Sequence, residues 1–172
     1  MGNLVCVVRI KFFRVSLLVF ILISLAMTVI CEKLPDRLFY YKKWMYRERK
    51  WENHGRIYDT YFGVKKWKTK LPDISDFMKW RFNKKHLAGS NKDYLSVFLM
   101  ESCKSEFTHW MIILSTLFFV FWSNVTTMII MFLLACVLNL PYIIIQRYNR
   151  PRLVRLLRKN IANEVELKTA NV

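Results

Sequence analysis

Glycine, proline, cysteine and acidic residues are all scarce in this sequence. Four glycines and four prolines in 172 residues exclude collagen-like or linker-like sequence. The four cysteines form no CxxC pair, which excludes a zinc ribbon and a thioredoxin-like motif. Aspartate and glutamate total 12 against 28 lysines and arginines, a net charge of +16, yet 54% of the residues are hydrophobic. That hydrophobicity excludes a disordered chain and leaves a nucleic acid or a membrane as the partner of so basic a protein.

Two long stretches lack Asp, Glu, Lys and Arg altogether, at residues 15–31 and 107–146. Because about twenty apolar residues span a bilayer, the first suits one span and the second suits two. The one polar break in the second stretch lies at residues 123–127, and it predicts a hairpin of helices near 107–122 and 126–146. A buried soluble helix of this length is the alternative, but a chain this small has nothing to cover it.

The sequence therefore predicts an all-α integral membrane protein with an N-terminal span and a C-terminal two-helix transmembrane hairpin. Arg9, Lys11 and Arg14 before the first apolar run also fit a secretory signal, but no A-x-A cleavage site follows, and we favour an uncleaved anchor. The predicted parts are a hydrophobic anchor or signal-like segment at 1–31, a basic aromatic interfacial region at 32–106, the hairpin at 107–146 and a basic tail at 147–172.

The basic residues are distributed unevenly about the predicted spans. Segment 32–106 carries 18 of them and the tail carries 7, whereas 3 precede the first span and residues 123–127 have none. The positive-inside rule then places the basic loop and the C-terminus in the cytoplasm of a multi-pass protein of the cell membrane.

Aromatic and basic side chains alternate in the first part of the interfacial region, as at residues 40–49. Rings with a polar edge beside cations are typical of the lipid headgroup layer. The same mixture could bind single-stranded nucleic acid, but no RRM, KH or zinc-knuckle signature is present, and the adjacent spans favour the membrane. Asp36 is expected to cap a helix that runs to Asn53, with Gly55 ending it at the C′ position. A second helix is expected from about Asn91 or Lys92 into the hairpin.

The three histidines, His54, His86 and His109, all lie near the predicted membrane interface. Histidine is the commonest general base near neutral pH. Glu106 and His109 are three residues apart on one predicted helix, so the carboxylate can fix the tautomer of the ring. The alternative is a histidine that only anchors the helix at the membrane edge. Glu101 lies at the same mouth of the span, where an ionisable group is costly unless it is paired or functional.

The far end of the hairpin is also polar. Asn139 and Gln146 lie inside or at the end of a span, and Arg147, Arg150 and Arg152 follow. Such arginines can hold a phosphate or a carboxylate, because a guanidinium group pairs with either through two hydrogen bonds. The alternative is the ordinary basic flank of a transmembrane helix.

Two further kinds of site have weak support in the sequence. His54 and Asp59 satisfy the H-x-x-x-x-D pattern of glycerolipid acyltransferases, but two residues specify little and no phosphate-binding block of the expected type follows. A metal site from His54, Glu106 and His109 is conceivable, yet no spacing requires one, and we expect no metal.

Four blocks of sequence together resemble the glycosyl-4,4'-diaponeurosporenoate acyltransferase family of staphyloxanthin biosynthesis. They are PDRLF at 35–39, WENHGRIYDTYFGVKKWK at 51–68, MESCKSEFTHW at 100–110 and NLPYIIIQRYNRPRL at 139–153. The resemblance implies a membrane enzyme that esterifies the primary hydroxyl of a sugar, carried on a carotenoid acid or another glycolipid, with a fatty acyl chain. The family pattern does not keep an acidic residue at the position of Asp59.

The resemblance and the residues together predict the catalytic groups. His109, oriented by Glu106, is expected to be the general base, with His54 as its rival. Glu101 is expected to be a further catalytic group, since the resemblance includes a counterpart for it. No cofactor is expected, and the acyl donor is expected to be a thioester, either acyl-CoA or acyl carrier protein.

The expected substrate-binding residues are His86, Asn139, Gln146, Arg147, Asn149 and Arg150. Of these, Arg147 and Arg150 would hold the phosphates of the donor or stabilise the oxyanion. The expected partners are the lipid bilayer, the glycolipid acceptor and the acyl thioester, with no nucleic acid. The alternative is a non-catalytic membrane scaffold that binds anionic lipid, which would have no need for three histidines and embedded Glu, Asn and Gln.

Overall fold

The computed structural model describes residues 2–71 and 91–170, and in these ranges the backbone forms helices and turns and no strand, which confirms the all-α fold class. The α-helices are α1 (Gly2–Lys33), α2 (Arg56–Phe62), α3 (Val64–Trp67), α4 (Asn91–Ser115) and α5 (Val125–Ala170). Short 3-10 helices lie at Asp36–Leu38, Lys50–Gly55, Lys68–Lys70 and Thr116–Phe121. A helix is observed where one was expected to run into the hairpin, and it is α4.

The chain divides into two compact units. The first is made of Met1–Leu34 and Glu106–Ile143, and the second of Pro35–Ser105 and Ile144–Val172. The four-part division made from the sequence stays a prediction.

The first unit has an apolar core to which α1, α4 and α5 all contribute. Its buried side chains are Phe20, Ile112, Ile113, Phe119, Met131, Ala135 and Ile143. Much of the remaining surface of α1 is also apolar and exposed, as at Leu18, Leu22 and Leu25. Exposing apolar surface to water costs about 25 cal/mol per Å², so this surface suits lipid better than water.

Within the described residues, two helices are long and apolar enough to cross a bilayer, the Phe13–Lys33 part of α1 and the helix α5. They indicate that the protein associates with a membrane. In the stretch 107–122, the α-helix ends at Ser115 and a 3-10 helix continues it. The hydroxyls of Ser115 and Thr116 donate to the carbonyls three residues earlier, each at 2.7 Å, and so compete with the regular helical hydrogen bonds. A third span over this stretch stays a prediction.

A polar turn joins the 3-10 helix to α5. The backbone N–H and the hydroxyl of Ser123 donate to the carbonyl of Phe119 at 2.9 and 2.8 Å. Asn124 Oδ1 accepts the N–H of Thr127 at 2.8 Å, which caps the first turn of α5. These bonds end one helix and begin the next, so the turn lies where the polar break predicted it.

The helix expected from Asp36 to Asn53 is wrong. The structure has a 3-10 helix at Asp36–Leu38, turns, and a second 3-10 helix that starts at Lys50. In a continuous helix, the N–H of Arg49 would donate to the carbonyl four residues earlier. It donates instead to the carboxylate oxygen Oε2 of Glu52 at 2.6 Å, and this shorter bond to a charged acceptor starts the second 3-10 helix.

The carbonyls that such a helix would use are occupied by arginines from α5. The carbonyl of Met45 accepts from Arg147 Nη2, and the carbonyl of Tyr46 accepts from Arg150 Nη1 at 3.2 Å. Both donors are charged, so these bonds are stronger than the neutral helical bonds they replace. Long-range contacts therefore override the local helical signal in residues 36–53.

Gly55 has a positive φ of +80° and lies directly against α5. A Cβ atom at this position would lie 2.8 Å from the carbonyl oxygen of Tyr148. Tyr148 is fully buried and packs with Tyr58, Val64 and Ile145 in the core of the second unit. Glycine thus ends a helix at residue 55 as expected, although the helix is the 3-10 helix Lys50–Gly55.

Candidate active site

His109 of α4 is hydrogen-bonded to Asn139 of α5 within the first unit. The ring atom Nδ1 lies 2.8 Å from Asn139 Oδ1. The other amide atom, Asn139 Nδ2, donates to the carbonyl of Ala135 at 2.8 Å, which fixes the amide with its oxygen toward the ring. Because an amide oxygen only accepts, Nδ1 carries a proton, and in the neutral ring Nε2 keeps its lone pair. A side-chain amide that orients a histidine in this way also occurs in cysteine proteases.

Packing holds the same ring in place. The rings of His109 and Tyr142 stack at a centroid distance of 4.9 Å with 9° between their planes. Asn139 is buried and His109 is half-buried. The orienting contact that the structure gives His109 is therefore made by Asn139, which the sequence had placed among the substrate-binding residues. Glu106, one turn earlier on α4, is fully buried, and its orienting role stays a prediction.

Arg147 and Glu52 form a buried ion pair in the second unit. Arg147 Nη1 lies 3.2 Å from Glu52 Oε1, and the two side chains are 13% and 2% exposed. The hydroxyl of Tyr58 donates to the same carboxylate oxygen at 2.6 Å. The Glu52 carboxylate thus connects the 3-10 helix Lys50–Gly55 to α2 and α5. No role had been expected for this residue from the sequence.

Arg150 is buried and also bonded within the second unit. Its Nη2 donates to the carbonyl and the hydroxyl oxygen of Ser102 at 3.1 and 3.2 Å, while its Nη1 donates to the carbonyl of Tyr46. The guanidinium carbon also lies 5.7 Å from the centre of the Tyr46 ring. These contacts are structural, and the substrate-binding role expected of Arg147 and Arg150 stays a prediction.

His54 is exposed and pairs with Glu48. Its Nδ1 lies 2.9 Å from Glu48 Oε1, and the same oxygen accepts the backbone N–H of His54 at 2.9 Å. Both Asn53 and His54 have positive φ values, 46° and 56°, which cost about 1 kcal/mol or more in residues other than glycine. A carboxylate–imidazole pair is thus observed at Glu48 and His54, and His54 remains the rival base.

Asp59 has a different partner. Its Oδ2 lies 2.9 Å from Lys65 Nζ, and its Oδ1 accepts the backbone N–H of Lys65 at 3.0 Å. These hydrogen bonds from Lys65 lower the pKa of Asp59 below its usual value. The two residues of the H-x-x-x-x-D pattern, His54 and Asp59, therefore have separate partners.

The remaining expected site residues belong to the second unit or are not described. Glu101 and Gln146 are buried, and Asn149 is half-buried. His86 lies outside the described residues. Within residues 2–71 and 91–170, no three His, Cys, Asp or Glu side chains gather closely enough to hold a metal ion.

A cavity of about 350 Å³ opens in the second unit between the segment after the first 3-10 helix and the C-terminal part of α5. Among the residues that the structure describes, five basic and two acidic side chains line it, a net charge of +3. The charged lining residues are Lys42, Arg47, Glu48, Glu52, Arg147, Arg150 and Arg158. Of these, only Arg147 and Arg150 were expected from the sequence to bind a substrate. Arg158 could also have been predicted, because it follows Arg150 by about two turns of the same helix.

We expect Glu52→Gln to destabilise the second unit. The change removes the counter-charge of the Arg147 guanidinium, which is 13% exposed, and we expect a loss smaller than the roughly 3–5 kcal/mol measured for fully buried pairs. Thermal unfolding of the full chain in detergent measures the effect. Asp59→Asn is the matched control, because it removes the carboxylate of an exposed pair and should leave the unfolding temperature nearly unchanged. Equal shifts for the two variants would contradict the assignment.

Apolar helices with exposed faces, and a histidine whose Nδ1 is bonded to Asn139, define a helical, membrane-associated protein with a candidate general base. Comparison with known proteins narrows this class. The model of the family described as glycosyl-4,4'-diaponeurosporenoate acyltransferase matches residues 42–159. Proteins of that name from Staphylococcus aureus strains N315 and MRSA252 are 35% identical to this chain over 126 residues, which is 73% of this chain and 76% of theirs. No solved structure matches the chain.

The chain belongs to the glycosyl-4,4'-diaponeurosporenoate acyltransferase family and is an acyltransferase. This confirms the family that the four sequence blocks resembled. It also decides against the non-catalytic scaffold, because the family is one of enzymes.

Proposed function

We propose that this acyltransferase esterifies a sugar hydroxyl of a glycolipid with a fatty acyl chain taken from a thioester. The relatives are named for a glycosylated carotenoid acid, glycosyl-4,4'-diaponeurosporenoate, and we propose the same class of acceptor for this chain. The observation that carries the proposal is the hydrogen-bond chain from His109 through Asn139 to the carbonyl of Ala135. It supplies the oriented base that O-acyl transfer requires.

In the proposed reaction, His109 Nε2 takes the proton of the sugar hydroxyl while the hydroxyl oxygen attacks the thioester carbonyl carbon. The carbonyl electrons move to the oxygen and form a tetrahedral oxyanion. Collapse of that intermediate breaks the C–S bond, and the imidazolium returns its proton to the leaving thiolate. The products are the sugar ester and a free thiol, so the step balances without a cofactor. The Asn139 oxygen supports the cationic ring by accepting from Nδ1–H throughout.

We propose that the reaction takes place at the membrane interface, because both substrates combine a long apolar chain with a polar reacting end. The exposed apolar surface of α1, at residues such as Leu18 and Leu25, and the apolar beginning of α5 support this location. We further propose a multi-pass protein of the cell membrane with residues 32–106 and the C-terminal tail in the cytoplasm, as the excess of basic residues there favours.

Glycerolipid acylation is less well supported than glycolipid acylation. It would require Asp59 to orient His54, yet Asp59 is bonded to Lys65 and His54 to Glu48. The Asp59→Asn variant separates the two proposals, because it should leave acyl transfer to a glycolipid unchanged.

Lipid extraction from cells that express the chain and from cells that lack it tests the proposed function. The expected result is a glycolipid whose mass increases by one fatty acyl group, with the acyl group released by mild alkaline hydrolysis as an ester. The control is the His109→Gln variant expressed at the same membrane level, which should leave the glycolipid unacylated. An unchanged glycolipid profile with the active chain would refute the proposal.

A further inference from the structure

Three basic side chains of the cavity in the second unit have no acidic partner in the part of the chain that the structure describes. Lys42, Arg47 and Arg158 all line the cavity and are all exposed. The contacts of the Lys42 ammonium are with the rings of Tyr40 and Tyr41, at 5.8 and 6.0 Å from their centres. Three cations in one concave site attract an anion, because the walls of the cavity exclude part of the screening water.

The acidic side chains of the cavity already have partners in the protein. Glu52 is paired with Arg147 and accepts from the Tyr58 hydroxyl, and Glu48 is paired with His54. The surplus positive charge is therefore carried by the three exposed cations and is available to a ligand.

Arg147 and Arg150 shape the cavity through their contacts with protein groups. They donate to the carbonyls of Met45 and Tyr46 and so hold the segment that carries Arg47. We assign them as positioning residues, and the ligand contacts fall to Lys42, Arg47 and Arg158.

We infer that this cavity binds the phosphate of the phosphopantetheine arm of the acyl donor. The inference rests on the proposed transfer from a thioester, and it assigns the donor to a site. Of the two proposed substrates, the donor carries phosphate groups, whereas the reacting hydroxyl of the acceptor is neutral. Guanidinium groups match a phosphate through two parallel hydrogen bonds, and a volume of about 350 Å³ falls in the usual range of about 300–1,000 Å³ for small-ligand sites. Pro151 and Val154 supply apolar wall for the uncharged remainder of the arm.

The test compares an acyl-4'-phosphopantetheine with the matching acyl-pantetheine, two donors that differ by the phosphate alone. With the full-length protein in detergent, kcat/KM should be at least about tenfold higher for the phosphorylated donor, as expected for charge-assisted hydrogen bonds. In the triple variant Lys42→Gln, Arg47→Gln, Arg158→Gln, this preference should fall to about one, through KM and not kcat. A preference that survives in the triple variant would overturn the inference.

A second triple variant, Lys43→Gln, Arg155→Gln, Lys159→Gln, is the matched control. It removes the same charge from the same two segments, and all three of its side chains are exposed and lie outside the cavity lining. Its donor preference should equal that of the unchanged chain. Equal loss in both triple variants would show a general electrostatic effect and would also overturn the site.

Acyl-CoA and acyl carrier protein thioesters distinguish the source of the arm. The site is supported if the KM for at least one of the two donors rises about tenfold or more in the first triple variant. It is contradicted if the KM rises for neither donor. If the active chain transfers no acyl group from any thioester, the proposed function fails, and binding of a thioether analogue of acyl-phosphopantetheine then tests the cavity by itself. If the first triple variant binds phosphatidylglycerol vesicles more weakly but binds that analogue as well as the unchanged chain does, the cavity holds a lipid headgroup and the inference is refuted.

Discussion

Replacing His109 by glutamine is expected to lower kcat for acyl transfer by about 10²–10⁴-fold, the usual contribution of a general base. Glutamine removes the Nε2 lone pair but keeps an amide that can still bond to Asn139 across the 2.8 Å contact. The half-buried position should therefore stay packed, and the unfolding temperature should change little. Initial rates of ester formation at saturating acceptor, together with thermal unfolding of the same preparation, measure both quantities.

Two companion variants make the His109 result interpretable. Asn139→Ala frees Nδ1, so both tautomers become populated, and kcat should fall less than in His109→Gln while its pH profile shifts. His54→Gln should leave kcat within a few-fold of the unchanged chain, since a general base is worth far more than that, roughly 100-fold at least. If His54→Gln causes the larger loss, the base is His54 with Glu48 as its orienting group.

Replacing Gly55 by alanine is expected to destabilise the second unit strongly. The backbone at Gly55 has φ +80°, and the new Cβ would lie 2.8 Å from the Tyr148 carbonyl oxygen. That oxygen belongs to the backbone of α5 and cannot move aside as a flexible side chain would. Left-handed strain and overpacking together should reduce the free energy of unfolding by about 2–4 kcal/mol.

Gly63→Ala is the matched control for Gly55→Ala. Gly63 also has a positive φ, +57°, but among the described residues a Cβ there would meet only the flexible Lys66 side chain, at 3.9 Å. Its cost should be limited to the backbone term of about 1 kcal/mol. Chemical unfolding of the two variants in detergent compares them directly. If both variants lose the same stability, the close approach to Tyr148 contributes nothing.

The apolar helices and the turn between them were predictable because their signals are local. The number of consecutive apolar residues is enough to indicate a membrane span, independently of the rest of the chain. The turn at Ser123 and Asn124 was equally accessible, since a short polar side chain caps a helix through the backbone of its own neighbours.

The region 36–53 was mispredicted for the opposite reason. Its sequence has the capping and terminal residues of a helix, but the carbonyls of Met45 and Tyr46 are bonded to Arg147 and Arg150, about a hundred residues further along the chain. No local window contains both partners. The charged donors are worth more than the helical bonds they replace, so the distant contact decides the local backbone.

The amino-acid order alone specified an all-helical membrane enzyme, its apolar helices, its family and the histidines on which a mechanism can rest. It could not show which side chains bond to one another. His109 bonds to Asn139 thirty residues away, and Glu52 to Arg147 ninety-five residues away. Helical periodicity can place Glu106 beside His109 because both lie on one helix, but it says nothing about which other helix supplies a partner. Hydrogen bonds and ion pairs act over a few ångströms, so their partners are fixed only when folding brings distant segments into contact.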